Sequence, residues 1–224
     1  MKKLKLYLLV VVCITFVTLS QAQHRRYVIK NGFALGGGIT QFDIITDNFE
    51  TTAGNGWLIN ASATADIPHK WFNISYGMQL SENNIEILGL RFRETFFDIE
   101  QIEYKVFMAQ LSMLFHMKAI KNLLTIDLGP MLQYNGKLEL QGDDQENLLI
   151  NLNSTNYAAD EIEDISPFNV NGVVGATLGF RFIKLRAQYI YGFTNMFEKL
   201  NDKGFGENLK GNQSMWTFAA LITF

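Results

Sequence analysis

Three observations predict an all-β chain: an eight-stranded antiparallel up-and-down transmembrane β-barrel with short periplasmic turns and long extracellular loops. From residue 32 onward, apolar and polar residues alternate with a period of two in one stretch after another. The links between these stretches are short and long in strict alternation. The last stretch, "SMWTFAALITF", keeps its alternation up to an aromatic residue, Phe224. A closed barrel needs such a final strand, because its two outermost strands must pair along their length.

The first element is not part of the barrel. "MKKLKLYLLVVVCITFVTLSQAQ" has a basic start (Lys2, Lys3, Lys5), an apolar run from Leu6 to Val17, and small residues around Ala22. It reads as a secretory signal peptide, residues 1–22, cleaved after Ala22. A membrane-anchor helix is less favoured because the apolar run is short for a span. Lipidation at Cys13 would want a small residue where Val12 stands. Cys13 is the only cysteine, so the mature chain is expected to have no disulfide, thiolate metal site or cysteine nucleophile. Taking Lys2, Lys3 and Lys5 from 19 basic residues leaves 16 against 22 acidic, a net charge of −6. No basic stripe remains for nucleic acid.

After a lead at 23–31, the barrel domain is expected to fill 32–224. The first strand, "GFALGGGITQFDI" (32–44), is loosened by glycines. The second (57–67) places Trp57, Ile59, Ala61, Ala63, Ala65 and Ile67 on one face, with Asn60, Ser62, Thr64 and Asp66 between them. The third (71–81) alternates Phe72, Ile74, Tyr76, Met78 and Leu80 with small and polar residues. Stretches 103–117, 123–134, 168–182, 185–196 and the closing one complete eight. The short links are 68–70, 118–122 and 183–184; the long ones are 45–55, 90–101, 141–167 and 197–213.

A soluble barrel would turn its apolar faces inward. Three features oppose that here. Strands of about ten residues suit a tilted bilayer crossing. The apolar faces carry aromatics near strand ends, among them Trp57, Trp71, Tyr134, Tyr189, Tyr191, Phe193, Trp216 and Phe224, as an interfacial girdle does. The opposite faces are rich in Asn, Gln, Ser, Thr and Gly, which suits a small wet lumen.

Four motifs carry a family resemblance: "FALGGGIT" in the first strand, "DLGP" in the fifth, "GATLGFRF" in the sixth and "LRAQYIYGFTNM" in the seventh. With them the chain resembles the small outer-membrane β-barrel family of Bacteroidota, which includes the PorT-like secretion proteins. The resemblance covers most of the mature chain and implies fold and location rather than chemistry. The alternating Trp216, Phe218, Ile222 and Phe224 are similar to the assembly signal read by the barrel-insertion machinery.

Chemistry is sparse. Of the histidines, His24 lies in the lead, His69 in a short turn and His116 at the periplasmic end of the fourth strand. None stands at the outer rim, where a lipid-modifying barrel enzyme would keep its base. The loop 141–167 carries Asp143, Asp144, Glu146, Asp160, Glu161, Glu163 and Asp164 and no basic residue. These carboxylates are candidate cation ligands or bridges to lipopolysaccharide, but the spacing of an EF-hand is absent and a solvated acidic loop is favoured. No metal or other cofactor is expected. Asp66, His116, Asp127, Arg181 and Arg186 all point inward near the periplasmic end. Charges inside a barrel of eight strands must pair, so they are expected to form a lumen plug rather than an ion pathway.

The expected protein is a non-enzymatic outer-membrane barrel with a side-chain-filled lumen, acting in envelope structure or through its extracellular loops. Its expected partners are outer-membrane lipid, lipopolysaccharide and the barrel-assembly machinery. An accessory subunit of a secretion or nutrient-uptake complex, docked to a membrane-protein partner, is the alternative. A small lipid-modifying enzyme or a pore is less favoured.

Overall fold

The computed structural model describes residues 29–224 except 94–95, 121–122, 143–144, 147, 153–154, 181 and 204–207; the expected signal peptide and its cleavage site lie outside them. Eight strands close into a ring: β1 (Lys30–Ile45), β2 (Thr51–Asp66), β3 (Phe72–Arg93), β4 (Phe96–Ile120), β5 (Leu124–Leu140), β8 (Phe168–Gly179), β9 (Ile183–Gly192) and β10 (Asn212–Thr223). Every neighbour pair is antiparallel, and β1 pairs with both β2 and β10, so no edge is left open. The hairpin β6 (Leu149–Leu152) and β7 (Thr155–Ala158), a 3-10 turn (Ala159–Ile162) and a short helix α1 (Glu198–Asp202) interrupt two of the connections.

The closing seam explains two of the glycines of β1, Gly36 and Gly38. A Cβ on Gly38 would lie 2.0 Å from the carbonyl oxygen of Phe218, and one on Gly36 would lie 2.3 Å from that of Ala220. Only residues without a Cβ let β1 approach β10 this closely.

Two links expected to be long are largely strand. Residues 51–55 belong to β2, and the expected link 90–101 is the tip of a hairpin in which Arg93 pairs with Phe96. The sixth and seventh strands are shorter than expected, ending at Gly179 and Gly192. The reason lies in strand lengths. β8, β9 and β10 have 12, 10 and 12 residues, about one tilted bilayer crossing. β3 and β4 have 22 and 25, so about half of each stands beyond the crossing.

Polarity reverses along those long strands. In their lower halves the outward side chains are apolar, as with Tyr76, Met78, Leu111 and Phe115, and the inward ones are polar, as with Ser75, Gln79, Gln110 and His116. In their upper halves Glu82, Asn84, Glu86, Glu103 and Lys105 face outward, while Ile85, Ile87, Ile102, Tyr104 and Val106 are buried inside. A single soluble or membrane environment would not reverse the rule within a strand. The lower wall, with Ile39, Leu111, Leu128, Leu132 and Phe218 each at least half exposed, is a hydrocarbon-facing surface. The upper part is a water-facing extension with its own apolar core.

Loops complete that upper core. Leu148, Ile150, Ala159, Ile162 and Ile165 from the 141–167 connection, and Met196, Phe197, Leu200 and Leu209 from the 193–211 connection, pack on Phe42, Ile44, Ile87, Ile102 and Leu138. The acidic loop expected to be solvated therefore folds over the mouth as a cap. Glu146, Asp160 and Glu161 face out, and the apolar residues between the carboxylates supply burial.

Candidate functional site

The lumen is built in tiers, each set by inward positions of the membrane-crossing strands. Lowest is a charged tier. His116 (β4) and Asp127 (β5) are register partners, as are Thr177 (β8) and Arg186 (β9). The Nδ1–H of His116 donates to Oδ1 of Asp127 at 2.6 Å, and the Thr125 hydroxyl donates to the same oxygen at 2.8 Å. Oδ2 accepts from the Thr177 hydroxyl, with Nε of Arg186 3.9 Å away. That Nε donates to Thr177 Oγ1 at 3.1 Å. Asp127 is fully buried and Arg186 is 8% exposed, so the cluster is an enclosed charge pair with its hydrogen bonds largely satisfied.

Ser75 Oγ meets Nε2 of His116 at 2.7 Å, which places Ser75, His116 and Asp127 in the order of a hydrolase relay. The surroundings do not suit that chemistry. Ser75 is 1% exposed, and it lies near the start of β3, paired with Thr64 of β2 and Leu114 of β4, where backbone amides serve the ladders instead of an oxyanion. Asp127 is also tied to Thr125, Thr177 and Arg186, which holds the imidazole in a fixed network.

Of the five inward charges read from the sequence, the structure brings His116, Asp127 and Arg186 together. Asp66 pairs separately with Lys118, Nζ to Oδ1 at 3.1 Å, and Arg181 lies outside the described residues. Lys118, Ser75, Thr125 and Thr177 were missed. Lys118 fell in a segment read as a turn, although it has the same parity as His116; the hydroxyls carry no charge to flag them.

Above this tier runs a ladder of amides. Gln79 donates to Gln110 at 2.8 Å, Gln110 to Gln133 at 2.6 Å, and Gln133 to Asn135 at 2.6 Å and to Gln213. Asn171 donates to Gln133 at 2.7 Å and Asn135 to Asn169 at 2.6 Å. These side chains come from β3, β4, β5, β8 and β10 and fill the centre of the barrel.

The cap is pinned above the ladder. The Tyr104 hydroxyl donates to the carbonyl of Ala159 at 2.7 Å. Burial, then the nearby Glu163 and Asp160, push its pKa well above the ordinary 10.0. The raised value means stability that is present below pH 10 and lost as pH rises above it, when the unfolded chain ionises first. Cap opening, read by hydrogen exchange of the 148–165 amides, is expected to steepen above about pH 10, and a Tyr104→Phe variant should lose that dependence.

The acidic loop residues are dispersed. Asp143 and Asp144 lie outside the described residues. Glu161 accepts from the Ala158 amide at 3.0 Å. Asp164 is clasped by Lys199 at 2.5 Å and Lys203 at 2.7 Å, which hold its carboxyl down to about 2. Among the described residues no group of three or more metal-ligating side chains converges. Trp216, Phe218 and Ile222 of β10, and Phe224 just after it, all point outward; Trp216 stacks with Phe218 at 6.5 Å and meets Tyr189 at 4.9 Å.

No family model matches the chain, and no curated protein matches it. Among solved structures it is similar to Neisserial surface protein A, at 10% identity over 86% of this chain and 97% of that one, with a TM-score of 0.45. It is also similar to the attachment invasion locus protein Ail of Yersinia pestis (11% identity, 87% and 99% covered, TM-score 0.43). The outer membrane protein OprG of Pseudomonas aeruginosa is another (8% identity, 88% and 97% covered, TM-score 0.44).

Proposed function

We propose that this protein is a non-enzymatic outer-membrane barrel with a closed lumen, acting through its capped outer end. The polarity reversal along β3 and β4 carries the reading. It supports a barrel embedded up to about Leu80 and Phe107, with a folded, water-facing head above. The amide ladder and the apolar cap support a closed interior in place of a channel. The resemblance to the Bacteroidota small-barrel family, with lipopolysaccharide and the assembly machinery as surroundings, belongs to the same proposal.

Purified, refolded protein in a planar bilayer should then give no steady conductance, and it should migrate differently on gels before and after heating. Stable porin-like steps would overturn the closed lumen, and release of the native protein from membranes by carbonate would overturn the embedding. One observation favours docking to a membrane-protein partner as a second reading. Phe92 and Ile99, 65% and 64% exposed, sit near the tip of the β3–β4 hairpin, beyond the outward-facing Glu86 and Glu103. Co-purification of a partner in mild detergent, lost on Phe92→Ser with Ile99→Ser, tests it.

A further inference from the structure

The end of the barrel with the short turns opens into a cavity of about 370 Å³ beneath the charged tier. Its polar walls come from Thr64, Asn73, Lys118 and Lys184, with Asp66 beside them and Thr125 and Thr177 above. The hydrogen-bond accounting there is one-sided. The side-chain oxygen of Asn73 accepts from the Ile67 amide at 3.1 Å, which fixes the amide orientation and leaves its NH₂ to donate. Lys118 gives one N–H to Asp66 at 3.1 Å and one to the Ile67 carbonyl at 3.0 Å, so a third remains. The Thr125 and Thr177 hydroxyls are spent on Asp127. Thr64 and Lys184 make no side-chain hydrogen bond or ion pair among the described residues.

Charge is one-sided too. Asp66 is matched by Lys118 and Asp127 by Arg186. Lys184, half-buried beside Arg186, feels both carboxylates but makes no ion pair with either, so among the described residues three cations, Lys118, Lys184 and Arg186, face two carboxylates. A partly desolvated ammonium, next to surplus donors and in a cavity open at one end, favours an anion with several acceptor oxygens. The remaining acceptor capacity is chiefly on Asp66, whose side chain is 45% exposed and open to water.

We propose that this mouth binds an oxyanion, a phosphate or carboxylate group entering from the short-turn side, with Lys184 as the countercharge and Thr64, Asn73 and Lys118 as donors. In the outer-membrane orientation that side is the periplasm, so the group would be carried by a periplasmic molecule. The site itself depends only on the cavity and stands apart from the reading of the capped end.

The test uses ¹⁵N-labelled full-length protein refolded in detergent micelles. Inorganic phosphate and acetate are titrated against chloride at constant ionic strength while backbone amide signals are followed. Saturable shifts centred on Thr64, Asn73, Thr125 and Lys184 are expected with an oxyanion and not with chloride. Saturation by phosphate alone assigns a phosphoryl source, and saturation by acetate assigns a carboxylate. Lys184→Gln should weaken binding by about tenfold or more, and Lys184→Arg should stay within about threefold. Thr64→Val supplies a second, neutral variant, expected to weaken binding by about threefold to tenfold; gel mobility before heating verifies that each variant is folded. Equal shifts with chloride, or binding untouched by both Lys184→Gln and Thr64→Val, would overturn the proposal.

Discussion

Asp127→Ala is expected to cost the barrel about 3–5 kcal/mol, the largest loss from any single lumen substitution. The carboxylate accepts from His116, Thr125 and Thr177 and faces Arg186. Removing it strands three donors and leaves a guanidinium that is 8% exposed without its partner. The penalty comes from the buried charge left behind rather than from the worth of the pair itself. The double variant Asp127→Leu with Arg186→Met should therefore recover most of the loss, since well-packed apolar replacements of buried pairs are close to neutral. Reversible urea unfolding in lipid vesicles, followed by tryptophan fluorescence, measures all three variants. A single-variant loss below about 1 kcal/mol would mean that water from the cavity below already screens the cluster as it does a surface pair.

The ring, its alternation and the inward positions of His116, Asp127 and Arg186 were legible because each rests on parity, which sequence displays directly. Leu111 and Phe115 against Gln110 and His116 leave one assignment for β4. The extension above the membrane was equally written, in a different key. Phe72, Tyr76, Met78 and Leu80 are apolar at even positions, then Ile85 and Ile87 at odd ones. The third strand was read only to residue 81, short of that shift; in a strand passing from lipid into water, the shift is the membrane boundary. The cap was hidden for another reason. The seven carboxylates of 141–167 dominate its composition, while Leu148, Ile150, Ile162 and Ile165 acquire meaning only when a hydrophobic mouth exists to receive them. The cavity at the other end was beyond reach of sequence, because Lys184 and Lys118 meet Thr64 and Asn73 only through the closure of distant strands.

Two arginine substitutions on one face of β4 should separate the lipid-facing wall from the water-facing head. Leu111 and Gln101 have the same parity, point outward and stand about 33 Å apart along the strand. Leu111 is 59% exposed on a wall with Leu132 and Met78 as cross-strand neighbours. If that wall faces hydrocarbon, Leu111→Arg should cost about 2–4 kcal/mol in a bilayer, because the guanidinium must be dragged to the interface or buried in lipid. Gln101 is exposed beyond the Glu86–Glu103 pair, its side chain holding Thr52 only through a 3.5 Å contact. Gln101→Arg should change stability by less than about 0.5 kcal/mol. Since both positions are solvent-open in the isolated chain, packing against protein neighbours predicts no such gap; the medium must supply it. Unfolding both variants from vesicles of a common lipid gives the comparison directly. Equal, small effects would mean that the lower wall is not in a membrane, and the polarity reversal along β3 and β4 would then need another cause.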